Sequence, residues 1–245
     1  MFILFFTNCQ GSLIWEHYLQ SHEYFKDYTY KCIDNWLTKT IDTESFKTCD
    51  IFVYQPMSKY TISEYDNVLN LLKPECIKIC FPSIYLDIWP LYPQGDKIIG
   101  SYTITNLKDI GYSLETLLIL YDNGLFSFDL KNRFKKSFDY LKEREDKYCN
   151  IKVSQFILDN YKKYELADTQ NHITGILLSF TANQICDFLK ITRSRENIFL
   201  DTFHVNAMRW PNSIYSIKEL EIEYINENYH DYYKDYIKRI YNSTP

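Results

Sequence analysis

The chain opens with an apolar segment that leads through a short polar turn into an amphipathic helix. The aromatic and β-branched run Phe2–Thr7 is typical of a strand that is buried on both faces. The polar turn of residues 8–11 ends this run, and Ser12 is placed to cap the helix that follows. A strand, a tight turn and a helix in this order predict the first unit of a parallel α/β sheet.

Three further apolar segments predict that the sheet continues. They cover residues 28–33, 50–55 and 76–81, and a helical pattern from Tyr65 to Leu72 lies between the last two. Strands that alternate with helices at this spacing favour a parallel sheet over a meander. We therefore expect an α/β core within residues 1–100.

Helical periodicity dominates the sequence after the Pro- and Tyr-rich loop of residues 82–100. Four segments share this periodicity and predict helices: residues 114–121, 134–144, 153–161 and 175–189. One or two amphipathic helices are expected after Ser216. Because no repeat, low-complexity tract or flexible linker is evident, the sequence predicts one domain over residues 1–245, in which residues 101–245 form a mainly helical cap.

Composition restricts the classes of partner. The 245 residues include 27 Lys+Arg against 32 Asp+Glu, so the net charge of −5 gives no global attraction to nucleic acid or anionic membranes. The longest apolar run, residues 1–6, is too short for a membrane helix and has no basic segment before it. Seven cysteines without a CxxC pair predict neither a disulfide framework nor a zinc site. We expect a cytoplasmic protein that holds anionic ligands at a local site.

Cys9 is the most informative candidate for chemistry. It lies where the first strand ends and the first helix begins, at the edge where parallel sheets bind ligands. The N–H groups and the dipole of a helix start stabilise an anion, which predicts a lowered pKa for the Cys9 thiol or support for an oxyanion. The alternative is a small side chain that only packs between strand and helix. The turn has no glycine-rich phosphate loop, which disfavours a Rossmann-type nucleotide cofactor.

A thiol at this edge requires a base, and two histidines are candidates. His172 lies in the polar turn of residues 169–175, immediately before a predicted apolar helix. His204 follows the apolar residues 198–200. Either can lie on a loop at the functional edge of the sheet, and sequence distance does not choose between them.

Six sequence blocks occur in an informative order: Asn8-Cys9-Gln10; Cys49 to Pro56 with Tyr60; Phe81 to Tyr85; Arg144-Glu145 before residues 151–157; Asn171 to Thr174; and Arg209-Trp210-Pro211. Together they resemble the WcbI family of bacterial polysaccharide biosynthesis enzymes, over residues 3–212. The sequence departs from the family pattern at Thr7, where glycine is common, and at Ile173, where proline is usual.

The resemblance implies a parallel sheet in an SGNH-like or Rossmann-like three-layer core. It also implies a protein that binds coenzyme A and transfers an acetyl group from acetyl-coenzyme A to a hydroxyl of a capsular or surface sugar. Asn8, Cys9 and Gln10 match the family's first turn, and His172 matches its histidine. The phosphates of coenzyme A would meet basic residues of one charged helix: Arg133, Lys135, Lys136 or Arg144. Such a charged face is otherwise simply solvated.

Two other functions fit the same residues. Asp201 stands three residues before His204, the spacing by which SGNH hydrolases present an acid and a histidine to their nucleophile, so that Cys9 would serve a glycan deacylase. A non-catalytic sugar-binding protein of a glycan operon, with a structural Cys9, is the other alternative. Binding of coenzyme A would separate the transferase from both.

Overall fold

A parallel sheet forms the N-terminal half of the protein. The computed structural model describes residues 1–36, 42–56, 68–205, 209–224 and 229–243, so Tyr60 and Tyr65 lie outside the description. Its four parallel strands are β1 (Phe2–Thr7), β2 (Thr29–Asp34), β3 (Ile51–Tyr54) and β4 (Ile77–Cys80). They are ordered β2-β1-β3-β4, and every neighbouring pair is parallel. The predicted α/β fold is therefore confirmed.

The described helices are α1 (Cys9–Ile14), α2 (Thr43–Thr48), α3 (Val68–Leu71), α4 (Tyr102–Asp109), α5 (Leu114–Asp122), α6 (Leu130–Tyr148), α7 (Ser154–Asn160), α8 (Gly175–Leu189), α9 (Ile214–Leu220) and α10 (Tyr229–Asn242). A π-helical turn, Trp15–Leu19, continues α1. Helices occupy each segment where the periodicity predicted them in the C-terminal half, and the mainly helical character of this half is confirmed. None of the described helices is long and apolar enough to span a membrane.

Alternate side chains of the central strand β1 enter two different apolar clusters, since successive residues of a strand point to opposite faces. Leu4 and Phe6 pack with α2 and α3. Ile3 and Phe5 belong to the cluster that contains α1 and α8. Helices therefore cover both faces of the sheet, as expected for a buried parallel sheet in three layers.

The loop of residues 82–100 contains an element that the sequence did not predict. Strands β5 (Tyr92–Gln94) and β6 (Lys97–Ile99) form an antiparallel hairpin, and Gly95 has a φ of 59° in its turn. Three-residue strands are too short to show alternation, and Pro93 within β5 is typical of a loop. The hairpin is therefore identified by the pairing of its two strands and not by a sequence pattern.

The start of α1 differs from the sequence prediction. Asn8, rather than Ser12, caps the helix, and the hydroxyl of Ser12 donates to the carbonyl of Cys9 at 3.0 Å. Gly11 permits the close approach of this helix to β1, because a Cβ at residue 11 would overlap the side chain of Thr7. The helix therefore begins at Cys9, four residues earlier than a Ser12 cap requires.

Candidate active site at the carboxyl edge of the sheet

Asn8 fixes the position of Cys9 at the carboxyl end of β1. Its backbone is extended, and its Oδ1 accepts a hydrogen bond from the backbone N–H of Gln10 at 3.0 Å. Its own N–H donates to Oε1 of Gln55 at 2.8 Å, and its Nδ2 donates to Oγ of Ser83 at 3.0 Å. The segments that follow β3 and β4 thus hold the turn in place, as expected at the ligand-binding edge of a parallel sheet.

Gln10 connects this turn to the loop that carries His172. Its side chain is fully buried, and Nε2 donates to the carbonyls of Ile84 and Asn171, each at 2.8 Å. Its Oε1 accepts from Nε2 of Gln55 at 3.0 Å and from the N–H of Ile84 at 3.1 Å. These four bonds use the two donors and two acceptor positions of the amide. Gln10 therefore acts as a positioning residue.

The Cys9 thiol is less acidic than the sequence predicted. The backbone N–H groups of Cys9 and Gln10 lower its pKa, but burial and then the nearby Asp34 carboxylate raise it, and the net pKa lies above the ordinary value of 9.0. Asp34 ends β2 and pairs in register with Thr7 of β1, which brings its charge to the same edge. The prediction of a lowered pKa is wrong chiefly because the fold buries the thiol, and secondly because strand pairing brings Asp34 beside it; neither could be read from the first turn alone.

His172 is held by one nitrogen and has its other nitrogen available. Nδ1 lies 2.7 Å from Oγ1 of Thr169, while Nε2 has no hydrogen-bond partner among the residues described. Burial lowers the pKa of the imidazole below 6.5, and this effect outweighs the opposing influence of Asp168. The ring is therefore neutral at pH 7 and can accept a proton.

The carboxylate beside His204 is Asp168, and the predicted Asp201–His204 pair is wrong. Nδ1 of His204 lies 2.6 Å from Oδ1 of Asp168, which is fully buried and also accepts from the N–H of Val205 at 2.8 Å. Asp201 instead accepts from the N–H of Phe203 at 3.1 Å. The spacing itself allows a pair, but Asp201 caps the local turn here, and its carboxylate binds the N–H of Phe203 instead of the imidazole. The sequence feature that could have identified Asp168 as a partner of a histidine is its position directly before the polar turn of residues 169–175.

Two cavities adjoin this segment. The smaller one, about 420 Å³ and called the base pocket here, is lined by Pro93, Thr169, Gln170, Asn171, His172, Arg209, Trp210 and Tyr232. The larger one, about 870 Å³ and called the large cleft, is bounded by the β5–β6 hairpin, the start of α4, α6 and the end of α10. Gln170 lines both. Because β5 places Tyr92 and Gln94 in the large cleft and Pro93 in the base pocket, this strand separates the two cavities.

Three of the four predicted phosphate-binding residues are engaged within the protein. Arg133 donates to both carboxylate oxygens of Asp87, at 2.6 and 3.2 Å, and to three backbone carbonyls. Lys135 forms an ion pair with Asp139 on the exposed face of α6. Arg144 donates to the carbonyl of Pro56 at 2.8 Å. Their role as ligand contacts stays a prediction, and each of these side chains already has a structural partner.

Two lysines remain available in the large cleft. Lys136, one of the residues predicted to contact phosphates, lines this cavity together with Lys97, which was not predicted. Neither forms an ion pair within the described part of the chain. Lys97 lies on the unpredicted hairpin, so no sequence pattern connected it with the charged helix. Over the same described residues, no cluster of His, Cys, Asp and Glu could hold a metal ion.

The fold and this site define an α/β protein with a thiol and a neutral imidazole near the carboxyl edge of a parallel sheet. The sequence matches the family described as polysaccharide biosynthesis enzyme WcbI over residues 2–194. The chain therefore belongs to the WcbI family of polysaccharide biosynthesis enzymes, and the resemblance drawn from its sequence blocks is confirmed.

A solved structure described as WcbI, a novel polysaccharide biosynthesis enzyme, has a similar fold. It superimposes with a TM-score of 0.76 at 18% sequence identity, covering 100% of this chain and 90% of that chain. That structure is of the native protein without a disulfide bond between coenzyme A and one of its cysteines. Among curated proteins, no sequence match was found.

Proposed function

We propose that the protein transfers an acetyl group from acetyl-coenzyme A to a hydroxyl of a polysaccharide sugar. The observation that carries this proposal is the segment of residues 170–172. Gln170 lines both cavities, the carbonyl of Asn171 accepts from Gln10 beside Cys9, and His172 lines the base pocket. Three consecutive residues thus join a large cleft, a thiol turn and a candidate base, which is the arrangement that a two-substrate transfer requires.

The large cleft is the proposed site of the coenzyme A nucleotide. Its volume of about 870 Å³ lies in the range of small-molecule sites, and Lys97 and Lys136 supply positive charge for phosphates. Asp87 lines this cleft, and Ile84, three residues earlier, contacts Gln10 beside Cys9. Three residues span at most roughly 10 Å, so a flexible pantetheine arm can extend from the cleft to Cys9. The similar WcbI structure is described with reference to coenzyme A and one of its cysteines, without a disulfide bond between them, and this placement follows that analogy.

The residues favour direct transfer over a covalent acetyl-cysteine. A raised pKa leaves Cys9 mainly as the thiol at pH 7, whereas His172 is already neutral. In the proposed step, Nε2 of His172 takes the proton of the sugar hydroxyl while its Nδ1–H donates to Thr169. The hydroxyl oxygen bonds to the thioester carbonyl, and the backbone N–H of Cys9 supports the oxyanion. Collapse forms the ester and releases coenzyme A as its thiolate.

A thermal-shift titration tests the ligand part of the proposal. We expect coenzyme A and acetyl-coenzyme A to raise the melting temperature, because ligands that bind only the folded state stabilise it. A double Lys97→Ala/Lys136→Ala variant should reduce this shift. Lys135→Ala, which removes a neighbouring lysine that is paired with Asp139, is the matched control and should keep the shift. The absence of any shift in the wild type would refute the proposal.

A glycan deacylase is a second candidate, favoured by the Asp168–His204 pair. A histidine held by a buried carboxylate is the geometry that hydrolases use to orient a base. Hydrolysis of p-nitrophenyl acetate in the absence of coenzyme A tests it. This function predicts measurable turnover that His204→Ala and Asp168→Asn abolish, and the transferase predicts that hydrolysis stays at background.

A further inference from the structure

We infer that the base pocket is the acceptor site of the proposed transfer, and that it binds one uncharged sugar residue against the indole of Trp210. This inference rests on the proposed function, which assigns coenzyme A to the large cleft. It specifies where the sugar acceptor binds, how large it is and that it carries no charge. Three features support it: the packing that holds Trp210, the hydrogen bonds between Trp210 and the segment of His172, and the different charges of the two cavities.

Trp210 presents a fixed aromatic surface. Its ring stacks on Tyr92, with centroids 5.1 Å apart and an interplanar angle of 23°, and meets Trp89 edge-on at 5.4 Å and 87°. Nε1 of Trp89 donates to the carbonyl of Trp210 at 3.2 Å. Trp210 stays half-buried at the pocket, and its own indole N–H has no partner among the residues described. The indole face can pack against the apolar C–H face of a pyranose, and the indole N–H can donate to one of its hydroxyls.

The same backbone connects this surface to the candidate base. The carbonyl of Asp168 accepts from the N–H of Trp210 at 2.7 Å, and the N–H of Asp168 donates to the carbonyl of His172, also at 2.7 Å. Trp210 and His172 are thus both hydrogen-bonded to one residue whose carboxylate is fully buried. A sugar that packs on Trp210 would therefore have a hydroxyl within reach of Nε2 of His172.

Charge distinguishes the two cavities. Arg209 is the cationic residue that lines the base pocket besides the titratable His172, and its guanidinium forms a two-bond ion pair with Glu165. The pocket therefore offers no net positive charge to a phosphate. The large cleft is lined by Lys97 and Lys136 against Asp96, with Arg133 and Asp87 paired to each other, so positive charge exceeds negative charge there. A phosphorylated ligand prefers the large cleft, and a neutral polar ligand prefers the base pocket.

The size of the base pocket limits its ligand. A volume of about 420 Å³ lies near the lower end of the range for small-molecule sites. The lining includes the amides of Gln170 and Asn171 and the hydroxyls of Thr169 and Tyr232, which can donate to or accept from sugar hydroxyls. One sugar residue, rather than an extended oligosaccharide, fits these dimensions.

Saturation-transfer NMR with a panel of neutral methyl hexopyranosides and methyl deoxyhexopyranosides tests the inference. We expect at least one glycoside to receive saturation on its ring protons in the wild-type protein. Trp210→Leu should weaken that binding by about tenfold, the value of one aromatic contact. If Trp210→Leu lowers the folded fraction, Tyr232→Leu replaces it as the test. Tyr140→Leu, in the large cleft, is the control and should leave glycoside binding unchanged.

The outcomes separate this inference from the proposed function. A thermal shift with coenzyme A, together with no glycoside binding, would overturn the acceptor site alone. Glycoside binding that persists in both Trp210→Leu and Tyr232→Leu would overturn it as well. Glycoside binding without any coenzyme A shift would keep the sugar site and refute the transferase. Loss of glycoside binding in a pocket variant that still binds coenzyme A supports both.

Discussion

Gln10→Leu is the substitution that most directly tests how this site is held together. The variant keeps a buried side chain of similar size but removes every hydrogen bond of the amide. Four groups then lose a partner, namely the N–H and carbonyl of Ile84, the carbonyl of Asn171 and Nε2 of Gln55. A buried polar group without a partner costs about 1 to 3 kcal/mol. Even the low end predicts a loss of about 4 kcal/mol in the free energy of unfolding.

Urea denaturation followed by circular dichroism measures this loss. A slope of about 3 kcal/mol per molar urea would place the midpoint at least about 1 M lower than in the wild type. The control is Gln155→Leu, an exposed glutamine on α7 whose amide donates to Asp159 at 2.8 Å, and it should change stability by less than about 0.5 kcal/mol. A loss below about 1 kcal/mol for Gln10→Leu would show that the four hydrogen bonds do not act as described.

Four further results are expected. His172→Ala should lower transferase turnover by about 10² to 10⁴ while the thermal shift with coenzyme A is retained, and an equal or larger effect of His204→Ala would move the base to that residue. Because burial lowers the pKa of His172, the acidic limb of the kcat/KM profile should lie below pH 6.5, and a midpoint above 6.5 would contradict this assignment. Alkylation of Cys9 by iodoacetamide, followed by peptide mapping, should be slow at pH 7 and still accelerate above pH 9, whereas a plateau below pH 8 would show an activated thiolate. Glu145→Ala removes three hydrogen bonds at the start of α7 and should cost about 3 kcal/mol in urea denaturation, where a loss under about 1 kcal/mol would contradict a capping role.

The architecture was predictable because its signals are local. The buried run Phe2–Thr7 and the helical periodicity before Leu189 each depend on residues a few positions apart, and both elements form as expected. The turn that holds Cys9 was also placed correctly, although its cap is Asn8 and not Ser12. Side-chain oxygens at either position can cap a helix. Asn8 is held in place by hydrogen bonds to Gln55 and Ser83, in the segments after β3 and β4, and these contacts are not visible in the first turn of the sequence.

The details of the site depend on pairings between distant residues. Asp34 raises the pKa of Cys9 because β2 lies beside β1, and Asp168 meets His204 across 36 positions of sequence. Lys97 lies on a hairpin whose strands are too short to show a pattern. Sequence patterning identifies which residue types can serve a reaction, but the electrostatic environment of each depends on neighbours that only the fold brings together.

The central strand β1 is synthesised long before one of the helices that completes its apolar cluster, and this delay affects folding during translation. All four strands of the parallel sheet have left the ribosome once Cys80 has emerged, yet the face that bears Ile3 and Phe5 shares its apolar cluster with Leu177 of α8. At typical rates of translation, roughly 5 to 20 seconds pass before that helix is complete. During this interval α1 and its π-helical turn can already cover Phe5, but their apolar side that packs against α8 stays exposed to chaperones and other nascent chains. Truncated chains that end before α8 should therefore aggregate. Productive folding should begin only when the helix Gly175–Leu189 has been synthesised.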